Sequence, residues 1–152
     1  MSSFRRVVTG ISQAGRSGVV SDGPASTSWC TELWATSAEK PLGFDPAEIK
    51  PTLLPPSKGT RWRVVDLPLD SVVRQSLQTS PTTTEGVGED GWHTTNTVDY
   101  VFILEGDVTL ELDDGKVELH AGDCVVQRAT NHAWRNRGTR PVRMFAVMIN
   151  LD

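Results

Sequence analysis

Residues 91–106 read GWHTTNTVDYVFILEG, and this stretch decides the fold. Its second half, TVDYVFILEG, is a β-strand followed by a glycine turn. Side chains along a strand alternate between two faces. If residues 93–99 are extended, His93, Thr95, Thr97 and Asp99 share one face, which Val101 and Ile103 continue, while Trp92, Tyr100 and Phe102 point the other way. A carboxylate within VDYVFIL is costly to bury without a cation or hydrogen-bond donors. Asp99 therefore calls for a partner.

Downstream, DVTLELDDG alternates and ends in an Asp-Gly hairpin signal. KVELHAGD, CVVQRATN, HAWRNRG and VRMFAVMIN follow at short, regular spacing. Strands this short and evenly punctuated imply an antiparallel sandwich or barrel. No long helical pattern alternates with them, so the fold class is all-β, with at most one or two short helices.

Upstream, RRVVTG and SGVVSDG are β-type runs ending at turn residues, and TSWCTELWA is a further strand. Between Ser37 and Gly59 stand Pro41, Pro46, Pro51, Pro55 and Pro56, which exclude regular structure and predict an extended connection. TRWRVVDLPLD restarts the sheet. Asp70 then caps a short helix, SVVRQSLQ, with Val73 and Leu77 four apart on one face. The polar run TSPTTTEGVGEDG beside the candidate site has two readings, a lid and a plain solvent loop. Its Glu85 and Glu89 are by default solvated. The expected organisation is one structural domain, in which N-terminal strands and a proline-rich connection (1–60) pack on a barrel (61–152).

Apolar residues make up 38% of the 152 residues and the net charge is −4, values of an ordinary soluble globular domain. The acidic balance argues against nucleic acid as a partner. Arg128, Arg135, Arg137, Arg140 and Arg143 read mainly as a solvated strand face. No apolar run approaches the roughly 18 residues of a membrane helix, and the N-terminus has no secretory pattern. The expected location is cytoplasmic. Cys30 and Cys124 lie far apart and read as reduced, buried thiols. His120 reads as a solvent-side turn residue.

By the same alternation His132, Trp134 and Asn136 share a face. In a closed barrel this face and that of Asp99 would look into one lumen. His93, Asp99 and His132 would then supply two imidazoles and a carboxylate, a set suited to Fe(II), Mn(II), Ni(II) or Zn(II) with positions left open. Arg128 is either the structural partner of Asp99 or a bidentate site for an acidic substrate. Trp134, Val101 and Ile103 would form an apolar wall.

The run GWHTTNTVDYVFILEG, followed by AGDCVVQRATNHAWRN, resembles the two motifs of the cupins, small double-stranded β-helix (jelly-roll) barrels. The likeness is clear over residues 91–138 and extends in weaker form over 61–150. With Gly106 as the turn glycine of the first motif, the acidic position falls on Asp99, the first histidine on His93 and the second on Thr95. Gly122 and Asp123 open the second motif, and His132 closes it. Thr95 thus stands where a ligand histidine is usual, Asp99 is one methylene shorter than glutamate, and RAT replaces the usual Pro-x-Gly turn. The second motif is also one residue short of its common spacing. The resemblance implies a small-molecule substrate and a homodimer, with early strands carrying Trp29 and Trp34 crossing to the partner. Fold does not settle the reaction. The first expectation is a metal-assisted lyase, a decarboxylase or dehydratase acting on an aromatic or polyketide-like acid. It holds a divalent metal on His93, Asp99 and His132, with Thr95, Val101, Ile103, Arg128 and Trp134 around the substrate. The alternatives are an Fe(II)-dependent dioxygenase and a metal-free small-ligand-binding module.

Overall fold

The computed structural model describes residues 4–25, 30–45, 52–79, 86–88 and 90–152, with the backbone alone for 76–79. Trp29, Pro46, Pro51, Glu85 and Glu89, the side chain of Leu77 and most of the expected lid lie outside the described residues. Ten strands and one helix are formed among the described residues, in the order β1 (Arg5–Ile11), β2 (Ser17–Pro24), β3 (Cys30–Ala35), β4 (Thr60–Leu67), α1 (Asp70–Thr79), β5 (Thr97–Glu105), β6 (Val108–Leu112), β7 (Gly115–Leu119), β8 (Cys124–Arg128), β9 (His132–Arg135) and β10 (Val142–Asn150). All named strand pairs are antiparallel. The protein is all-β with a jelly-roll, double-stranded β-helix architecture.

A five-stranded sheet runs β3-β4-β10-β5-β8 and faces a three-stranded sheet, β7-β6-β9. The ribbon β1-β2 stands apart as its own small sheet. It folds back on its own chain: the Phe4 ring meets Phe145 edge-on at 5.9 Å between centroids, and Ala25, Leu33 and Val64 close beneath. β3 is an edge strand of the larger sheet, bonded along β4. Its Trp34 donates Nε1–H to Leu42 O at 3.1 Å. Gly43 makes that turn feasible, because it sits at φ 90° and a Cβ there would lie 2.0 Å from Trp34 Nε1.

The core lies between the sheets and is built from Val101, Ile103, Val108, Leu110, Leu119, Val142 and Met144. Alternation along TVDYVFILE puts Val101 and Ile103 inward and Tyr100 and Phe102 outward, as the sequence predicts. Outside, Trp62, Val147, Tyr100 and Val126 stand in one cross-strand row.

The helix forms where expected, but Asp70 does not cap it in the expected way. Its Oδ1 accepts the backbone N–H of Asn136 at 2.9 Å, and its own N–H goes to Asn136 O at 2.9 Å. The fully buried Asn136 is the hub of that corner, bonding Leu67 O, Arg140 O and Gly138 N–H. Cys124 also departs from expectation. It lies exposed on β8, whereas Cys30 is half-buried, and the two are not joined.

Ile103 has no exposed surface. Ile103→Ala is expected to cost about 3 kcal/mol through lost burial and a cavity, lowering Tm by roughly 10 °C. Val126→Ala on the outer row should cost under about 1 kcal/mol. Thermal unfolding of both variants checks this, and equal losses would overturn the assignment of faces.

Candidate functional site

His93 belongs to no named strand. It makes an isolated antiparallel bridge with His132, each backbone N–H donating to the other's carbonyl at 3.0 Å. The chain then bends at Asn96 and enters β5 at Thr97, in the opposite sheet. Leu151 N–H donates to Asn96 O at 3.1 Å, and Asn96 Nδ2 to Asp152 Oδ1 at 2.6 Å, so the C-terminus clasps this bend. The expectation of one extended face from 93 to 99 is thereby corrected. His93 extends the sheet of β9, and Asp99 lies across the lumen on β5.

The bridge brings the two imidazoles together, with ring centroids 4.2 Å apart and planes tilted by 55°. Each ring is fixed by the same device. His93 Nδ1 lies 3.0 Å from Gly91 O, and His132 Nδ1 lies 2.9 Å from Thr130 O. A carbonyl oxygen only accepts, so Nδ1 carries the proton in both rings and Nε2 keeps its lone pair in the neutral form. Trp134 meets the His132 ring edge-on at 6.2 Å. Burial pushes the His132 pKa down; the neighbouring His93 adds to this, and the bond to Thr130 opposes it.

Asp99 sits opposite Met148 of β10 and Gln127 of β8. Burial pushes its carboxyl pKa up, against the opposing effects of a hydrogen bond from Thr97 and the charges of Arg63 and His93. Its Oδ1 is buried without a hydrogen-bond partner.

His93, Asp99, His132, Val101 and Trp134 all line one cavity of about 870 Å³. Thr95, Ile103 and Arg128 do not. Thr95 is buried and bonded to Thr97 Oγ1 at 2.8 Å, and Ile103 is core. Arg128 is exposed, because the register that sets Gln127 beside Asp99 turns its neighbour outward. Arg128 is therefore neither the partner of Asp99 nor a wall of the cavity. The buried arginine that lines the cavity is Arg63 on β4, which sequence reasoning passed over along with Cys30, Gln127 and Met148. The one available signal was the alternation in RWRVV, which puts Arg61 and Arg63 on the face of Val65. At the solvent end Glu111 accepts from Arg135 at 2.8 Å and Arg137 at 2.5 Å.

The donor set does not fit a three-ligand metal centre. The two imidazoles stand together, but among the described residues no three His, Cys, Asp or Glu side chains are grouped closely enough to hold an ion. The expected triad is thus not grouped as a metal site among the described residues.

An all-β jelly-roll barrel thus encloses a partly open cavity that holds a histidine pair. Residues 82–148 match the family described as Cupin domain. The chain is 49% identical over 51 residues to phomopsin biosynthesis cluster protein C' of Diaporthe leptostromiformis, covering 33% of this chain and 27% of that protein. It is 39% identical over 62 residues to the cupin-domain-containing oxidoreductase virC of Hypocrea virens, covering 38% and 32% respectively. The chain thus spans about a third or less of the length of these curated relatives. Among solved structures, an RmlC-like cupin of Methanocaldococcus jannaschii with a double-stranded β-helix fold is similar at 17% identity and TM-score 0.45, covering 62% of this chain and 72% of that one.

Two outcomes are expected of this site. First, between the ordinary histidine value and the depressed value of His132, the unfolded chain binds a proton that the folded chain refuses. Stability should therefore fall as pH drops through that window. Tm measured from pH 8 to 5 should show this fall, and His132→Gln should remove part of it. An unchanged profile in the variant would sink the assignment. Second, elemental mass spectrometry on protein purified without a metal-affinity step should find far less than one equivalent of Fe, Mn, Ni or Zn. A full equivalent, retained against chelator and lost in His93→Ala/His132→Ala, would show that Asp99 moves to complete a centre.

Proposed function

We propose that the cavity is the active site of a small-molecule lyase, a dehydratase or decarboxylase, that works by proton transfer on an aromatic or polyketide-like acid. The observation that carries this is the histidine pair with both Nδ1 atoms committed to carbonyls, across a lumen from a carboxyl whose Oδ1 has no partner. Burial keeps His132 in its neutral, basic form and favours the protonated, acidic form of Asp99. Displacement of two pKa values in these directions suits an acid and a base working together near neutral pH. In a dehydration, Nε2 of His132 takes the proton from the carbon next to a carbonyl. The C–O bond of the β-hydroxyl breaks, its oxygen takes the proton of Asp99, and water and a C=C bond result. In a decarboxylation of a β-keto acid, CO₂ leaves and the enolate carbon takes a proton from Asp99. Val101, Ala146, Met144, Met148 and Trp134 offer an apolar wall for the body of the substrate.

A second reading, oxidation or reduction of such a molecule, is favoured by the likeness to a protein named a cupin-domain-containing oxidoreductase. Incubation under nitrogen with aromatic and polyketide-type β-hydroxy and β-keto acids separates the two. Loss of water or CO₂, followed by mass spectrometry, is expected, and His132→Gln should lower kcat/KM by about 100-fold or more. Turnover that requires O₂ or a nicotinamide would overturn the lyase reading in favour of the second. Tight binding with no turnover would overturn both in favour of a binding module.

A further inference from the structure

Two arginines lie inside the barrel with one carboxylate between them. Arg61 and Arg63 are both under a tenth exposed, as is the side chain of Glu32 from β3. Both approach the same oxygen: Arg63 Nη2 lies 2.8 Å and Arg61 Nη1 lies 3.8 Å from Glu32 Oε1. Nη1 of Arg61 and Oε2 of Glu32 have no hydrogen-bond partner. The other bonds of Arg63 go to backbone, Nη1 to Leu53 O at 3.3 Å and Nη2 to Thr52 O at 3.1 Å. Arg61 Nη2 donates to Thr52 Oγ1 at 3.2 Å. The Nε–H groups of both arginines have no acceptor.

Buried charges are paired, and buried donors find acceptors. Here two guanidiniums share one carboxylate, and Asp99, whose neutral form burial favours, does not close the count. Arg63 lines the cavity that holds the histidine pair. At the solvent end Arg135 and Arg137 likewise share one carboxylate, Glu111, but Arg137 is exposed and its charge is solvated.

We propose that Arg63, supported from behind by Arg61, is the binding site for the carboxylate of the ligand. The ligand is then an organic monoacid with an apolar body. Its carboxylate is held at β4, and its body runs across Ala146 and Val101 toward His93 and His132. The guanidinium supplies charge-assisted bonds that a neutral analogue cannot make. This inference rests on the reading of the cavity as a substrate site, but not on which reaction occurs there.

Quenching of tryptophan fluorescence, with calorimetry beside it, tests this on the full chain. The probes are benzoate, 4-hydroxybenzoate and octanoate, each against its primary amide. The unaltered protein should prefer the acids by about 10- to 100-fold, the worth of a charged hydrogen bond. Arg63→Gln should abolish that preference, while His132→Gln should keep it. Since Arg63→Gln leaves Glu32 without its close partner, Arg63→Gln/Glu32→Gln removes both charges, and this folded variant should show the same loss. Equal binding of acids and amides by the unaltered protein, no binding of any acid, or a preference that survives in both Arg63 variants would overturn the proposal. An acid preference lost with Arg63, in a protein that turns over no acid, would leave the carboxylate site standing and remove the lyase reading instead.

Discussion

The two-way backbone bond between His93 and His132 is the constraint on which the cavity depends. It joins segments 39 positions apart, and it fixes more than proximity. A residue pair that exchanges both bonds must present its side chains on the same side of the sheet, so both imidazoles face the lumen together. The neighbouring carbonyls of Gly91 and Thr130 then choose the tautomer. Main-chain geometry thus sets the position, the facing and the protonation pattern of the pair. The side chains themselves add little to the placement.

The second constraint is the bend at Asn96. Without it, His93 and Asp99 would continue along one strand, and the carboxyl would stand beside the imidazoles. With it, the chain passes from one sheet to the other within a few residues, and the acid confronts the base across open space. Gly106 at the far end of β5 adopts φ 87° and turns the chain back into the smaller sheet. β5 is therefore bounded by two crossings between layers, and its inward residues belong to one wall only.

Much of the fold was legible because strand length, alternation and turn residues are local. TVDYVFILE, VTLEL and VRMFAVMIN fall into strands with the expected faces, and Gly106 sits at its turn. The pairing of His93, Asp99 and His132 around one lumen was legible too, through the spacing of two motifs. What escaped was register. Whether Gln127 or Arg128 stands beside Asp99 turns on a one-residue slip, and such a slip reverses every side chain of the strand. The bend at Asn96 escaped for the same reason, since residues 93–99 obey strand alternation on paper. Arg61 and Arg63 were hidden by their type. Arginine on a strand reads as solvent-facing, and only the neighbouring Glu32 strand, set by a long-range pairing, reveals that this face is interior.

The strand order β3-β4-β10-β5-β8 has a geometric corollary. Arg63, Ala146, Val101 and Val125 stand in one row across four hydrogen-bonded strands. Adjacent strands are about 4.8 Å apart, so Arg63 and Val101 are separated by roughly 10 Å measured along the sheet. That wall is in effect a ruler, graduated by the backbone and indifferent to the side chains it carries. Ala146 occupies the middle graduation with a single methyl group. A bulkier residue there would shorten the usable span without moving either end, so the length of the cavity is set at a position away from the histidine pair.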